Sequence, residues 1–415
     1  LESAGKAPLI ENVSLDEMAE RCRVKGDLTM GKNILVAHGG GPTPVINSSL
    51  QGVVEAARAS GQVDKIYAAR FGAEGILAGD LIDLTGVPAA TISLLRETPN
   101  SAIGSCRRKL TDEDYPTVIE TLKKFEIGCF FYNGGNDSMD TCNKVNELAK
   151  KEGLDLRVIG IPKTIDNDLD ITDHCPGFGS AAKFAALGAC ELALEASGLP
   201  IHVVVMELMG RNAGWLTAAS ALAARLGVCE VLTYLPEAPV DEENMLGDIK
   251  NAWDKGKGVL VTVSEGICGL DGKPLADSGI VDGFGHVVPG GAAQYISNQI
   301  MQKLGIKSRA EKPGLMGRND MSRVSDVDRD EAYAVGKFAM ESALAGESGY
   351  MVAIDAVREP EYHSSLSLVP LSKVANVEKK FPLEWIVGGN QIADAFFDYA
   401  MPLMGEAFPE YALLR

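Results

Sequence analysis

The chain has 415 residues, of which 46% are hydrophobic, and a formal net charge of −18. Its length allows it to bury more than one core, so we expect two domains. The acidic balance excludes a broad nucleic-acid surface or an anionic-membrane surface, because both need a basic footprint. Any phosphate site must therefore be local.

The cysteines and the apolar segments indicate a cellular location. The eight cysteines form no C-x-x-C pair and no Cys/His run at zinc spacing, which favours reduced thiols. No apolar stretch reaches the roughly 18 residues that span a bilayer, and residues 1–30 lack the pattern of a secretion signal. We expect a cytoplasmic protein whose residues 1–30 form an N-terminal extension.

Apolar strands alternate with helix-length segments from residue 33 onward. The run NILVAH predicts a strand, and Leu50, Val53 and Ala57 then recur at helical spacing. Further strands are predicted at KIYAAR, GCFFYNGG, LRVIGIPK, IHVVVMEL, VCEVLTYLPE, KGVLVTVSEG and YMVAID. Such continuously apolar strands indicate an α/β fold with parallel sheets covered on both faces. Ligands of these sheets bind beyond the carboxyl ends of the strands.

The loop HGGGPTPVIN follows the first predicted strand. Gly39, Gly40 and Gly41 are expected to leave backbone N–H groups uncovered ahead of a helix, which favours an anion. A tight glycine turn explains the same letters, because the spacing matches neither nucleotide-binding glycine motif. The loop alone leaves both interpretations open.

The loop YNGGNDSMD repeats this arrangement after another strand. Gly135 precedes Asn136 and Asp137, which lie where a phosphate would be held. A carboxylate suits that position only if a cation is shared, and a helix-capping aspartate explains the letters equally well.

The stretch IPKTIDNDLD places Lys163, Asp166 and Asp168 at the end of a third apolar run. Asp166 and Asp168 are separated by one residue, so both point to one side of an extended segment. Two carboxylates on one side suit Mg²⁺ binding and proton removal, and Lys163 supplies positive charge for a phosphate. A solvated acidic turn explains one such loop but not three loops in one sheet.

Together these motifs resemble the phosphofructokinases from about residue 33 to residue 355, and most closely the pyrophosphate-dependent branch, diphosphate:fructose-6-phosphate 1-phosphotransferase. The family motifs appear in order as Gly40, Gly41, Pro44 and Asn47; Arg107 in GSCR; PKTIDND at 162–168; Met209, Gly210 and Arg211; Glu265 in SEG; and Arg309 with Arg318. The resemblance implies a phosphotransferase that forms fructose 1,6-bisphosphate from fructose 6-phosphate and pyrophosphate.

The resemblance also implies the architecture of the chain. We expect two Rossmann-like three-layer domains with mainly parallel sheets, plus N- and C-terminal extensions. The implied boundaries are 31–175 with 319–355 for the phosphoryl-donor domain, 176–318 for the sugar-phosphate domain and 356–415 for the C-terminal extension.

The family's residue roles carry over to matching positions. Asp166 is implied to be the general base for the 1-hydroxyl of the sugar, and Lys163, Thr164 and Arg107 are the other implied catalytic residues. The donor is expected at Gly40, Gly41, Gly135, Asn136, Asp137 and Lys163. The sugar phosphate is expected at Thr164, Asp166, Asp168, Met209, Gly210, Arg211, Glu265, Arg309, Arg318 and His202. The Mg²⁺ cofactor is expected at Asn136, Asp137 and Asp168.

Two positions predict the phosphoryl donor. Family members that use ATP have glycine where this chain has Asp137 and Lys163. The carboxylate of Asp137 would crowd and repel the α-phosphate of a nucleotide, while Lys163 would neutralise the far end of pyrophosphate. The resemblance thus favours pyrophosphate over ATP.

The sequence departs from the family pattern at three positions. Asn136 replaces an aspartate of the pyrophosphate branch, which leaves Asp137 as the expected metal carboxylate, and Leu315 replaces a His or Tyr near the sugar phosphate. His202 aligns with a basic residue that reaches across subunits in many relatives, and a satisfied core or interface histidine also explains it. Arg309 and His202 both match positions that reach a neighbouring subunit's sugar site, which implies a homodimer or homotetramer.

Two alternatives to the pyrophosphate enzyme stay open from the sequence. One is an ATP-dependent enzyme or a sedoheptulose-7-phosphate kinase. The other is a sugar-phosphate sensor on the same fold. The intact TIDND motif together with Arg107 speaks against a sensor, which needs no base beside the phosphate loops.

Overall fold

A computed structural model of the chain describes residues 33–281, 287–405 and 408–414, so the predicted N-terminal extension lies outside the described residues. The strands are β1 (Asn33–His38), β2 (Lys65–Ala69), β3 (Leu81–Asp83), β4 (Ile127–Gly134), β5 (Arg157–Pro162), β6 (Val203–Leu208), β7 (Glu230–Tyr234), β8 (Val259–Ser264), β9 (Asp277–Val281), β10 (Val287–Pro289), β11 (Ser308–Glu311), β12 (Tyr350–Val357), β13 (His363–Pro370), β14 (Ile386–Val387) and β15 (Gln391–Ile392).

The α-helices are α1 (Ile46–Ser60), α2 (Ala73–Ala78), α3 (Ala89–Ser93), α4 (Tyr115–Lys124), α5 (Asn136–Lys151), α6 (Phe178–Gly198), α7 (Trp215–Ser220), α8 (Glu242–Asp254), α9 (Ala292–Gln299), α10 (Asp326–Leu344), α11 (Leu371–Val374) and α12 (Asp394–Met404). Short 3₁₀ turns lie at Leu94–Glu97, Ala221–Leu226, Gly314–Arg318 and Leu383–Trp385, and a π turn lies at Ile300–Leu304. Within the described part of the chain, no helix combines the length and the apolar character that a bilayer crossing needs.

The larger sheet has the strand order β13-β12-β5-β4-β1-β2-β3. The five central strands are parallel, and the edge strands β3 and β13 are antiparallel to their neighbours. Side chains of β1 alternate between two cores: Ile34 and Val36 pack under α1 and α10, while Leu35 packs under α4 and α5. The chain adds β2 and β3 on one side of β1, and then β4 and β5 on the other side. The direction of strand addition therefore reverses between β1 and β4, and a crevice opens at the carboxyl ends of these two strands.

The second sheet has the order β11-β6-β8-β7, and all of its strands are parallel. Helices α6 and α7 cover one face, and α8 and α9 cover the other. Each large sheet therefore lies between two helical layers because its strands are apolar on both faces. This arrangement confirms the predicted α/β fold with mainly parallel sheets.

Residues 356–415, predicted as a C-terminal extension, are integral to both halves of the molecule. Strand β13 forms the edge of the larger sheet. Helix α12 packs on α6 in the core of the smaller sheet, where Phe396 is fully buried. The description of this segment as an extension is therefore too simple, and the division of the chain at 175 and 318 into donor and sugar domains remains a proposal.

Candidate active site

A cavity of about 450 Å³ lies where the carboxyl ends of β1, β4 and β5 face those of β6 and β8. The sequence-predicted site residues that line it are Gly40, Gly41, Arg107, Gly135, Asn136, Asp137, Lys163, Thr164, Asp166, Asp168, Met209, Arg211, Glu265 and Arg318. Motifs from both halves of the chain thus meet in one cavity.

The glycine loop after β1 differs from its prediction. The N–H of Gly39 donates to the carbonyl of Asn133, and the N–H of Gly40 donates to the carbonyl of Cys106, both at 2.9 Å. The expectation that these two N–H groups are uncovered is therefore wrong. Gly41 lies against the end of the Arg318 side chain, because a Cβ there would lie only 2.6 Å from its Nη1.

The start of α5 supplies the uncovered N–H groups. Helix α5 begins at Asn136, and within the described residues the N–H groups of Asn136 and Asp137 donate to no backbone carbonyl. Both residues line the cavity, at the positive end of a 16-residue helix, which is a favourable place for an anion. Gly134 lets β4 reach this point, because a Cβ there would lie 2.0 Å from Oγ of Ser138.

Lys163 follows β5 and is only 3% exposed. Its Nζ donates to the carbonyls of Gly39 at 2.8 Å and Gly41 at 2.6 Å. An ammonium group has three donors, so one remains for a ligand in the cavity that Lys163 lines. Burial, together with the neighbouring Arg318, lowers the pKa of Lys163 to about 7.

Asp166 has a pKa suited to proton transfer. Burial raises the pKa of this carboxyl to about 7, and the negative charge of Asp168 adds to the increase. The N–H of Asp166 donates to Oγ1 of Thr164 at 3.0 Å, which orders the turn around it. A carboxylate with a pKa near 7 can accept a proton from a substrate hydroxyl at neutral pH.

Asp168 and Asn136 form the group best suited to a metal ion. Nδ2 of Asn136 lies 3.4 Å from Oδ2 of Asp168, and Oδ1 of Asn136 is buried without a hydrogen-bond partner in the described structure. Among the described residues, no cluster of three or more His, Cys, Asp or Glu side chains could hold a metal. These oxygens fit Mg²⁺, which binds few carboxylates and completes its shell with water and substrate phosphates.

Asp137 lies at the rim of the cavity rather than beside Asp168. Its Oδ1 pairs with Nζ of Lys109 at 3.0 Å, and the side chains are 68% and 64% exposed. The preference for Asp137 as the metal carboxylate therefore gives way to Asp168. Lys109 was missed by the sequence analysis, and its only signal was the basic run that follows Arg107.

Two further charged side chains line the cavity: Glu265, after β8, and Arg318, whose guanidinium lies against Gly41. Burial raises the pKa of Glu265 and lowers the pKa of Arg318, and the neighbouring Arg107 lowers the latter further. Nε of Arg318 is buried without a partner in the described structure, so this guanidinium is available for an anion. Gly210 lies between Met209 and Arg211, which both line the cavity. Its φ is 126°, and a Cβ there would lie 2.5 Å from the carbonyl oxygen of Ala213.

His202 and Arg309 are not brought into this cavity. His202 precedes β6, and Arg309 pairs with Val204, so both lie at the end of the sheet opposite the cavity. His202 is 2% exposed, and neither ring nitrogen has a partner among the described residues. Burial lowers its pKa, as does the charge of Arg309. Their predicted role at a neighbouring subunit's sugar site remains a proposal.

The C-terminal segment, residues 356–415, supplies a residue of the cavity lining that no sequence motif indicated. Glu378 lines the cavity, and its Oε1 accepts a hydrogen bond from Nδ2 of Asn212 at 2.9 Å. Its backbone forms an isolated bridge with Leu169, beside the turn that contains residues 166–168. Glu378 lies beyond the predicted core, so only the tertiary structure identifies it.

Comparisons with known proteins indicate the family of the chain. The phosphofructokinase family model matches residues 33–343. A relative from Methylococcus capsulatus, named pyrophosphate–fructose 6-phosphate 1-phosphotransferase, is 42% identical over 92% of this chain and 94% of its own. The sulfofructose kinase of Alkalicoccus urumqiensis is 33% identical over 86% and 94% of the two chains. The crystal structure of a pyrophosphate-dependent phosphofructokinase from Marinobacter aquaeolei matches with a TM-score of 0.82 and 37% identity, covering 92% and 94%. The chain belongs to the phosphofructokinase family.

Proposed function

We propose that the chain transfers a phosphoryl group reversibly from pyrophosphate to the 1-hydroxyl of fructose 6-phosphate. The placement of Asp166 between the cations of the donor loops and Glu265 carries this proposal. Lys163 and Arg107 lower the pKa of Asp166 while Glu265 raises it, so both sets of side chains lie within electrostatic reach of this carboxyl. The relatives named for this reaction give independent support.

Each set of side chains supplies a defined part of the reaction. The free N–H groups of α5, with Lys163 and Arg107, hold the charge of pyrophosphate. Arg318 binds the 6-phosphate, while Glu265 and Arg211 hold the sugar. Asp166 accepts the proton of the 1-hydroxyl as the new O–P bond forms, and the bridging P–O bond of pyrophosphate breaks to release phosphate. Mg²⁺ held by Asp168 and Asn136 would neutralise charge on the bound phosphates.

The preference for pyrophosphate rests on residues at both ends of the cavity. Lys163 fills this end with a buried side chain that is tied to the carbonyls of Gly39 and Gly41. A compact anion without a nucleoside can meet its remaining donor. Asp137 places a carboxylate at the rim beside Lys109, where it would repel the phosphates of a longer donor.

The proposal is tested by a coupled assay that measures fructose 1,6-bisphosphate. The purified chain receives fructose 6-phosphate and Mg²⁺ with either pyrophosphate or ATP. We expect turnover with pyrophosphate and a much lower kcat/KM with ATP. Turnover with ATP alone would assign the chain to the ATP-dependent enzymes, and no turnover with either donor would support a sugar-phosphate sensor.

The identity of the sugar is tested separately. Leu315 is 63% exposed at the position where relatives carry a polar ring near the sugar phosphate, and a relative at 33% identity is named sulfofructose kinase. The same assay with sedoheptulose 7-phosphate and sulfofructose as acceptors should give lower kcat/KM values than fructose 6-phosphate. A higher value for either acceptor would replace the proposed sugar.

The assembly and the location of the chain are further parts of this proposal. A sugar site shared between subunits by Arg309 and His202 requires at least a dimer. Sedimentation of the active enzyme should show a dimer or tetramer, and an active monomer would refute the shared site. Every cysteine in the described part of the chain is free, which supports the expected reducing, cytoplasmic location.

A further inference from the structure

The turn that carries the proposed base, residues 166–168, is called the catalytic turn. It contains a residue that does not line the cavity. Asn167 lies between Asp166 and Asp168, is fully buried and does not line the cavity. Its φ is 54°, a left-handed conformation that asparagine adopts more readily than most residues but that still needs support from its surroundings. The support for Asn167 therefore bears directly on where the two flanking carboxylates point.

Tyr399 in α12 supplies part of that support from 232 residues away. Nδ2 of Asn167 donates to the hydroxyl of Tyr399 at 2.8 Å, and that hydroxyl donates to the carbonyl of Asp173 at 2.8 Å. Oδ1 of Asn167 accepts from the N–H of Cys175 at 3.0 Å. Both ends of the Asn167 amide are thus engaged, and Tyr399 links them to the far side of the same loop.

The ring of Tyr399 is itself held in place. The guanidinium of Arg358 lies 4.4 Å above the ring centroid, and its Nε donates to the carbonyl of Tyr399 at 3.1 Å. Arg358 also forms a bidentate ion pair with Asp173, at 2.9 and 2.6 Å. Trp215 packs against the ring at 5.4 Å between centroids. The hydroxyl therefore occupies a defined position rather than a mobile one.

A second contact joins the C-terminal segment to the turn. The N–H of Lys379 donates to the carbonyl of Asp168 at 2.8 Å. Its ammonium group donates to the carbonyls of Thr172 at 3.2 Å and of Asp173. The segment thus holds the turn at the Asn167 side chain and at the Asp168 backbone.

We propose that Tyr399 is a positioning residue for the phosphoryl transfer and acts through Asn167 to aim the carboxylates of Asp166 and Asp168. This inference rests on the proposed function for its kinetic consequence, but the positioning itself can be observed without turnover. A displacement of about 1 Å at a reacting group can reduce turnover about 100-fold, so one hydroxyl in this position can control kcat.

The first experiment compares Tyr399→Phe with a matched control. Tyr362→Phe removes a partly buried hydroxyl from the same segment, where it donates to Glu331 at 2.5 Å and not to the turn. We expect Tyr399→Phe to lower kcat at least about tenfold with little change in either KM. The control should lose clearly less activity than Tyr399→Phe, because Glu331 is linked to Asp173 indirectly, through His174.

The second experiment tests whether the effect passes through Asn167. A double-mutant cycle compares the kcat values of the wild type, Tyr399→Phe, Asn167→Ala and the double variant. We expect the double variant to be no worse than Asn167→Ala, because both single changes break the same link. Multiplicative losses would overturn the inference, as would equal losses of kcat in Tyr399→Phe and Tyr362→Phe.

Amide hydrogen exchange separates this inference from the proposed function. The backbone of residues 164–170 should exchange faster in Tyr399→Phe than in both the wild type and Tyr362→Phe. Unchanged exchange in Tyr399→Phe would refute the positioning role even in an active enzyme. Faster exchange in a chain without phosphotransferase activity would refute the proposed function and leave the positioning role supported.

Discussion

The cavity contains two lysine–aspartate groupings that differ in their exposure to water. In the interior, Lys163 is 3% exposed and lies near Asp166. At the rim, Lys109 and Asp137 form an ion pair at 3.0 Å with side chains more than 60% exposed. The same pair of residue types thus occurs in a desolvated and in a hydrated environment within one site.

The difference determines what each grouping can do. Burial brings the pKa of Lys163 and that of Asp166 to about 7, from opposite directions. Both groups can therefore change charge near neutral pH, which suits proton transfer and anion binding. The rim pair is screened by solvent, so its contribution to binding is small and depends on salt. We expect proton transfer and pyrophosphate binding to reside in the interior grouping, and the repulsion of ATP to reside at the rim.

The largest expected effect comes from the interior carboxylate. Asp166→Asn keeps the shape of the side chain but cannot accept the hydroxyl proton, so kcat should fall about 10²- to 10⁴-fold with little change in KM for fructose 6-phosphate. Steady-state kinetics with pyrophosphate measure both constants. Asp170→Asn, in the same stretch but outside the cavity lining, is the control and should retain most of the activity. Near-normal turnover of Asp166→Asn would exclude it as the base.

The next largest effect is expected at Lys163, whose substitution should lower activity much more than that of Lys109. Lys163→Met removes a buried cation from the donor site and should lower kcat/KM for pyrophosphate about 30- to 1000-fold, the range for one charged transition-state contact. Lys109→Met should lower it less than about fivefold, because its charge is hydrated. Thermal unfolding of both variants checks that they are folded. Equal losses in the two variants would remove the distinction between interior and rim.

The pH profile tests the same interior pair without a mutation. Asp166 must be ionised, and its raised pKa means that activity falls as the pH drops below about 7. Lys163 must be charged, and its lowered pKa means that activity falls as the pH rises above about 7. The kcat/KM for pyrophosphate should therefore form a narrow bell, with limbs of about tenfold per pH unit. Lys163→Met should lose the alkaline limb, and a flat profile in the wild type would contradict both shifts.

The smallest expected effect lies at the rim. Asp137→Gly should change kcat/KM for pyrophosphate less than about fivefold, but should raise the low activity with ATP by relieving repulsion of the nucleotide phosphates. Lys109→Met breaks the same ion pair from the other side and leaves the carboxylate, so it should not raise ATP activity. The measurement is the ratio of kcat/KM for the two donors. An unchanged ratio in Asp137→Gly would place donor selectivity elsewhere in the cavity.

Most of the cavity could be predicted from local patterns. Apolar runs such as 157–162 and 203–208 predict parallel strands, and the carboxyl ends of parallel strands meet at one edge of a sheet. Residues that directly follow such strands, among them Lys163 and Met209, therefore line the cavity as expected. Arg309 lies within a strand and His202 before one, so the same rule explains why both lie away from it.

The contacts that complete the site could not be predicted in this way. Glu378 and Tyr399 contact the catalytic turn or its neighbour Leu169 from more than 200 residues away. No sequence motif and no hydrophobic periodicity indicates either residue. The glycine loop was misread because its partners, the carbonyls of Asn133 and Cys106, belong to other segments. A hydrogen bond depends on distance in space, which residue order does not supply over such separations.

The sequence by itself determined the fold class, the family and the residues that follow each strand, because hydrophobic period and motif order are local properties. Only the tertiary structure decided which backbone N–H groups lack a carbonyl partner, that the side chain of Asn136 contacts Asp168, and which lysine is buried. The chemistry depends on that last distinction. Lys163 and Lys109 are the same letter in the sequence, and it is the loss of water around Lys163 that brings its pKa to about 7.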